Sequence, residues 1–473
     1  MPEPFYSAES FYGQQRALRF EADVRDCEVI GAIPRELNGS YYRAGPDSQY
    51  PTLDRDIIIN GEGMVSLFRF EDGHVDFRCR YVKTERYKAQ DAARRRLYGK
   101  YRNPYTDDPA APRLDRDNTA NTYAHYHHGR LFALREDSHP TEMDPDTLET
   151  LPTWDFNGAL ESTSVSAHPK IDPVTGEWWS FSFFAHRRFD GDMMLQVIDK
   201  DGKLFRQEDF QAPYPGVAHD FAVTREHVIF PVMPMTVDME RLTKGGDFYA
   251  FDPNLPAMWG IMPRSGTTKD IRWFRSPGAF MGHVMNAYTE GSKVHVDCTI
   301  SGTNAFPFFR DVKGQRTDPM KGIPTVSRVT FDLASNSDVA SEVRPFPGAM
   351  GEMPRCDDRF QMSRYRYGFM KTRDGIARLD WETGVRSLHP IPDGSAQEPV
   401  LVPRSPDSAE GDGFILCVVN RLGKNRADLL VLDANAMEAP PLATIQLPFD
   451  QPMAFHGCFA PRTSSGAQRA KAL

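Results

Sequence analysis

The chain has 473 residues, of which 40% are hydrophobic, 11% aromatic and 26% charged, enough apolar material for a large buried core. A formal net charge of -9, with Arg94-Arg95-Arg96 as the basic cluster, argues against a nucleic-acid-binding surface. The stretch Met1–Phe20 lacks the charged and apolar regions of a signal peptide, and no segment reaches the roughly 18 apolar residues of a spanning helix. The six cysteines form no CxxC pair, so the expectation is a cytoplasmic protein with reduced thiols and no membrane insertion.

In chain order, MVSLFRF-EDG-HVDFRCRYV from Met64 reads as an antiparallel hairpin closed at Asp-Gly. Helical periodicity follows over Ala89–Tyr101, with the arginine trio on its solvated face. Strands are predicted at Arg130–Leu134 and Trp178–Phe184, and a second hairpin at MMLQVID-KDG-KLFRQEDF from Met193. Further strands come at His227–Val232, Lys293–Ile300 and Val326–Phe331, then a hairpin at YGFMKTR-DG-IARLDWETG from Tyr367, and strands at Gly413–Val419 and Asp428–Leu432. Pro403–Gly413 reads as a surface loop and Thr463–Leu473 as a disordered tail.

Many short strands without βαβ alternation predict an all-β fold. A propeller fits best, because radial repetition protects strand edges and residues far apart in sequence meet on its axis. No linker interrupts the pattern, so residues 1–473 read as a single domain. No WD dipeptide or clean repeat gives the blade number.

His168 (SVSAHPK), His219 (PGVAHDFAV), His283 (AFMGHVMNAY) and His456 (MAFHGCFAP) each sit among small or apolar residues. Any one alone would read as a hydrogen-bonded core histidine. Together they read as ligands of one metal, and intervals of 51, 64 and 173 residues require a closed fold to unite them. Of the nine other histidines, His139, His186 and His227 have charged neighbours and read as surface or strand-end residues. His125, His127 and His128 (YAHYHHGR) form the most metal-like local cluster, but the Gly-Arg turn that follows favours a solvated strand end. Cys458 reads as a core filler beside His456.

Four imidazoles without a carboxylate ligand leave an octahedral ion two open positions, a setting suited to Fe(II) that must bind O2. Such ligands need partners that fix their tautomers, and Glu136, Glu352 and Glu398 are the candidate carboxylates.

The segments NGSYYRAGPD, IIINGEGMVSLFRFEDGHV, NTYAHYHHGRLFALRED, SAHPKIDPVTGE, AHDFAVT, GHVMNAY, GEMPR, EPVLVPR and FHGCFAP occur in order over Asn38–Pro461. They resemble the successive signatures of the carotenoid cleavage oxygenase family. The resemblance implies a seven-bladed β-propeller with a non-haem Fe(II) on its central axis, capped by loops and short helices. By motif, the iron ligands would be His168, His219, His283 and His456, and the glutamates behind them Glu136, Glu352 and Glu398. Thr122 matches the threonine that crowds one open iron position.

Within that family, YGKYRNPYTDDP at Tyr98–Pro109 and the lack of a membrane-binding apolar insert resemble the lignostilbene dioxygenase branch. Its enzymes cleave the central C=C of a hydroxylated stilbene with O2 into two aromatic aldehydes. Ionising the 4-hydroxyl pushes electron density toward the alkene. Tyr101 matches the branch's phenol-binding tyrosine, with Tyr105 as runner-up. Arg135 stands where the branch has a lysine; it stays charged, so it can stabilise a phenolate but cannot act as the base. Ile59 replaces a phenylalanine that stacks on the substrate ring, which widens the slot. Phe306 is expected to line the substrate tunnel, with core packing the expected role for at least two of Phe306, Phe308 and Phe309.

The resulting expectation is an Fe(II) oxidoreductase of aromatic catabolism and lignin degradation, acting on a small aromatic substrate with O2. Analogy with the branch adds a homodimer. Two alternatives keep the same scaffold: a non-oxidative lyase that releases formaldehyde from a phenylcoumaran to leave a stilbene, and apocarotenoid cleavage. A third reading, a propeller that binds aromatics without turnover, is opposed by the presence of every candidate ligand and carboxylate.

Overall fold

In the computed structural model, the described residues are 5–462 apart from 11–12, 115–116, 188, 277 and 279. The expected tail at 463–473 lies outside them. Asp72 and Gly73 take φ of 50° and 87°, the left-handed pair that a two-residue hairpin turn requires, and strands Glu62–Glu71 and His74–Tyr81 pair across them. Along His74–Tyr81 every second residue is buried, the mark of a strand with one solvated face. Asp192–Ile198, by contrast, is a central strand buried at every position.

Such meanders repeat around a ring. Antiparallel four-stranded units occupy residues 123–153, 170–211, 222–276, 280–345, 351–390 and 400–447, and Gly394–Ala396 and Glu28–Gly31 extend the last to six strands. The seventh unit is composite: the C-terminal strand His456–Pro461 pairs antiparallel with Gly39–Asp47, so the two ends of the chain close one blade. His456 also bridges in parallel to Tyr123 of the next blade. The long strand Glu342–Cys356 serves two blades, its first half pairing with Thr325–Asp332 and its second with Tyr367–Thr372. This is the expected all-β propeller, and seven is the blade count that the sequence pattern alone left unread.

Aromatic side chains fill the space between blades. Trp259 and Phe274 of one blade meet Phe331 of the next, at ring separations of 5.4 Å each. Buried side chains of this size contribute roughly 1.5–3 kcal/mol apiece.

The expected helix at Ala89–Tyr101 is displaced. It runs over Glu85–Ala93, capped by the Thr84 side chain, and stops where Arg94 turns left-handed at φ 53°. The arginines therefore do not share a solvated helix face: Arg94 ends the helix and Arg96 reaches back to Asp56 at 2.7 Å. Tyr101 follows in a turn and not on a helix. Among the described residues no helix is long and apolar enough to cross a membrane. All six cysteines are free thiols.

Candidate functional site

The four histidines come from four different blades at the same level of the ring. His168 and His219 immediately precede the first strands of their blades, Lys170–Ile171 and Ala222–Val223. His283 sits within Phe280–Glu290, where the register shifts between Met281 and Val284, and His456 opens the closing strand. The Nε2 atoms of His168 and His219 are 3.1 Å apart, as are those of His219 and His283. These three residues offer nitrogens within 4.8 Å of one another. The His456 ring lies 4.6 Å from that of His168 and 4.8 Å from that of His283.

Each outward nitrogen faces a carboxylate. His283 Nδ1 donates to Glu352 at 2.7 Å and His456 Nδ1 to Glu398 at 2.9 Å. His219 Nδ1 stands 3.7 Å from Glu136, and His168 Nδ1 is 4.0 Å from Asp220. The glutamates are themselves fixed: Thr299 donates to Glu352, the Gly457 amide to Glu398, and Arg102 to Glu136. Burial opposes ionisation of Glu136 and Glu398, yet their histidine and arginine neighbours hold both carboxyls down at about 2. Burial also pushes His168 well below the ordinary imidazole value, and lowers His456 despite Glu398. At His283, burial is outweighed by the Glu352 carboxylate and the value rises.

The donor set fits a metal ion. With Nδ1–H committed outward to a carboxylate, an imidazole presents the Nε2 lone pair inward, and such lone pairs repel one another at 3.1 Å unless a cation lies between them. Nitrogens bound at right angles about 2.1 Å from one ion are roughly 3 Å apart. His168, His219, His283 and His456 would hold the ion, and among the described residues no carboxylate or thiolate joins the inner set. Cys458 Sγ instead points to the Ala124 carbonyl at 3.2 Å.

A cavity of 1260 Å³ opens onto this centre and is lined by His219, His283 and His456. His168 lies behind them, on a small polar cavity shared with Lys170 and Asp220. Tyr101, Thr122, Arg135, Ile59 and Phe306 all line the large cavity. Thr122 packs against His456, whose amide donates to the Thr122 carbonyl at 3.2 Å. Ile59 lies in the short turn Ile58–Asn60, and its carbonyl accepts from Asn121. Phe306 sets its ring edge-to-face on His219, 5.7 Å between centroids. Phe308 and Phe309 line the cavity as well, and the expected core role holds beside this: Phe309 is buried in the core, tilted against Tyr101 at 6.0 Å, and Phe306 and Phe308 pack against that core. Tyr105 is 55% exposed and faces away.

Tyr101 and Arg135 form a polar corner in this apolar wall. Arg135 is buried, with Nε 2.9 Å from Asp137 and Nη1 donating to Thr119, while its buried Nη2 has no protein acceptor. Its guanidinium stands 5.1 Å from the Tyr101 ring centre, and that of Arg102 stands 4.9 Å away on the same ring. Burial raises the Tyr101 phenol, so it is a neutral donor.

Sequence reasoning missed two residues of this corner. Arg102 donates to the Tyr249 hydroxyl at 2.5 Å and pairs with Glu136 and Asp137, tying the corner to the carboxylate behind His219. A charge directly beside Tyr101 was the available signal for Arg102; Tyr249, in DFYAFDP, carried none.

The histidine-rich cluster also departs from expectation. His125 and His127 are buried, stacked edge-on against Trp178 at 4.7 and 5.7 Å, and only His128 lies in the turn. Trp178 supplies an apolar surface that local sequence does not reveal. Burial lowers both histidines, and they act as aromatic packing groups.

Comparison with known proteins agrees with this architecture. The family model described as RPE65, retinal pigment epithelial membrane protein, matches residues 15–461. The isoeugenol monooxygenase of Pseudomonas nitroreducens is 41% identical over 462 residues, covering 94% of this chain and 96% of that one. The crystal structure of Pseudomonas brassicacearum lignostilbene dioxygenase superposes with a TM-score of 0.91 at 40% identity, covering 94% and 97% of the two chains. A cobalt-substituted Synechocystis apocarotenoid oxygenase superposes at 0.84 with 29% identity over the same shares, consistent with a metal centre in enzymes of this architecture. With its closed seven-bladed ring, four converging histidines and full-length similarity, the chain belongs to the RPE65/carotenoid oxygenase family.

Proposed function

We propose that this protein is a non-haem Fe(II) dioxygenase that cleaves the central C=C of a 4-hydroxystilbene with O2 into two aromatic aldehydes. The observation that carries this reading is one cavity holding both the histidine centre and the Tyr101–Arg135 corner. The relatives named isoeugenol monooxygenase and lignostilbene dioxygenase support a phenolic alkene as substrate. A cavity of 1260 Å³ has room for a two-ring stilbene. The same reading takes residues 1–473 as a single domain, with the family resemblance over about 38–461.

Bound Fe(II) supplies the electron chemistry by which O2 adds across the alkene. The protein's part is to hold and polarise the substrate. Tyr101 donates a hydrogen bond to the 4-oxygen, and the Arg135 guanidinium beside it supplies a positive charge, which lowers the phenol's pKa and drives electron density along the conjugated chain to the alkene. Arg135 keeps its proton, so the phenol proton leaves to solvent or to another base. Ile59 and Phe306 form apolar walls for the ring, and Thr122 limits the space beside His456. Overall the C=C bond breaks and each carbon receives one oxygen atom of O2.

The test is incubation of the iron-loaded protein with a 4-hydroxystilbene and with a phenylcoumaran, each with and without O2. Equal amounts of two aldehydes from the stilbene, with matching O2 uptake, are expected. A stilbene and formaldehyde formed from the phenylcoumaran without O2 uptake would replace the reading with a lyase.

A further inference from the structure

The cavity has a second arm, away from the Tyr101–Arg135 corner, between the blades at residues 351–390 and 400–447. Its wall is cationic. Lys371 sits directly across the strand register from Glu352 and is buried, while Arg373 and Arg386 follow toward the outside. Among the described residues the uncommitted carboxylate in this arm is Asp374, since Glu352 and Glu398 at its inner end are engaged by His283, His456 and Arg355. Arg386 is half-buried and its Nε is enclosed without a hydrogen-bond partner. Its side chain lies along Gly348, where φ is +70° and a Cβ would come within 3.8 Å of Arg386 Cδ.

A desolvated guanidinium N–H without an acceptor is costly. Nε itself is closed off, but Arg386 lines the cavity, where its terminal N–H groups can meet a ligand acceptor. The space is also larger than one stilbene needs, so the arm has room for a substituent. Burial depresses the Lys371 ammonium to about 8, and a neighbouring anion would offset that desolvation.

We infer that this arm is an anion subsite in which Arg386, assisted by Lys371, receives a carboxylate carried on the far ring of the substrate. Arginine matches a planar carboxylate with paired N–H donors, and three cations facing one aspartate leave a net positive charge that an added carboxylate would reduce. A phenol at one pole and a carboxylate at the other would fix the alkene between them, beside the histidine centre. This inference rests on the stilbene reading for its substrate but not for its binding measurement.

The experiment compares 4-hydroxystilbene-4'-carboxylate with the neutral 4'-carboxamide, using metal-loaded protein. Dissociation constants are measured without O2, then kcat/KM with O2. The intact protein is expected to bind the carboxylate at least about tenfold more tightly, a difference of about 1.4 kcal/mol. Arg386→Gln should bring the ratio within about twofold, Arg386→Lys should retain part of it, and Lys371→Met should reduce it. Because each ratio is taken within one protein, a general loss of folded material cancels. Equal affinities in the intact protein, or an undiminished ratio in Arg386→Gln, would overturn the subsite. A binding preference without turnover would leave the subsite standing and remove the stilbene-cleavage reading. Turnover without a preference would do the reverse.

Discussion

At the scale of single residues, the difference between a ligand and a packing group is where the second ring nitrogen goes. His283 and His456 spend Nδ1–H on glutamates and turn Nε2 toward the shared centre, whereas His127 directs Nε2 to the Gly176 carbonyl and lies against Trp178. His219→Ala is therefore expected to lose most bound iron, and His127→Ala to retain it while losing some stability. Metal content by elemental analysis checks this; full iron occupancy in His219→Ala would remove that residue from the ligand set. Arg135 is held by its neighbours at the cavity wall. Asp137 and Thr119 fix its position, and its buried Nη2 has no hydrogen-bond partner among the described residues.

At the scale of elements, blades are joined by charge as well as by aromatic packing. Asp172, after strand Lys170–Ile171, accepts from Arg225 and from Arg264 of the next blade, the latter at 2.8 Å. Burial opposes its ionisation, but the Val174 amide and the two arginines outweigh this and hold it at about 2. A carboxyl depressed in the folded state contributes stability above its unfolded value near 4 and loses it as pH falls toward 2. Asp172→Asn should accordingly cost on the order of 2 kcal/mol at neutral pH and flatten the fall in stability between about pH 4 and pH 2. Urea titrations across that range measure it, and an unchanged acid slope would contradict the assignment. Elsewhere the elements follow local chemistry closely. Strands Arg130–Leu134 and His227–Val232 fall at their predicted limits, because apolar residues are bounded there by turn residues. The helix was misplaced because its apparent periodicity ran through Arg94, whose left-handed conformation ends it.

At the scale of the whole molecule, one feature completes both fold and site: strand His456–Pro461 closes the ring and delivers the fourth histidine. Metal that binds only the closed ring should stabilise it by mass action, by about 2.7 kcal/mol at a hundredfold excess over Kd. Ferrous iron added anaerobically to metal-free protein is expected to raise Tm, and His219→Ala to abolish the rise; an equal rise in both would place the stabilising metal elsewhere. The sequence by itself determined the β class, the hairpins and the apolar settings that single out the histidines, because turn propensity and hydrophobic pattern act over a few residues. Only the tertiary structure decided the closure of one blade by both ends of the chain, the burial of His125 and His127 under Trp178, the link from Arg102 through Glu136 to the His219 imidazole, and the cationic arm around Arg386. Each of these joins residues from distant parts of the chain. Their meeting is set by ring closure and by the desolvation it imposes, which no local window of sequence contains.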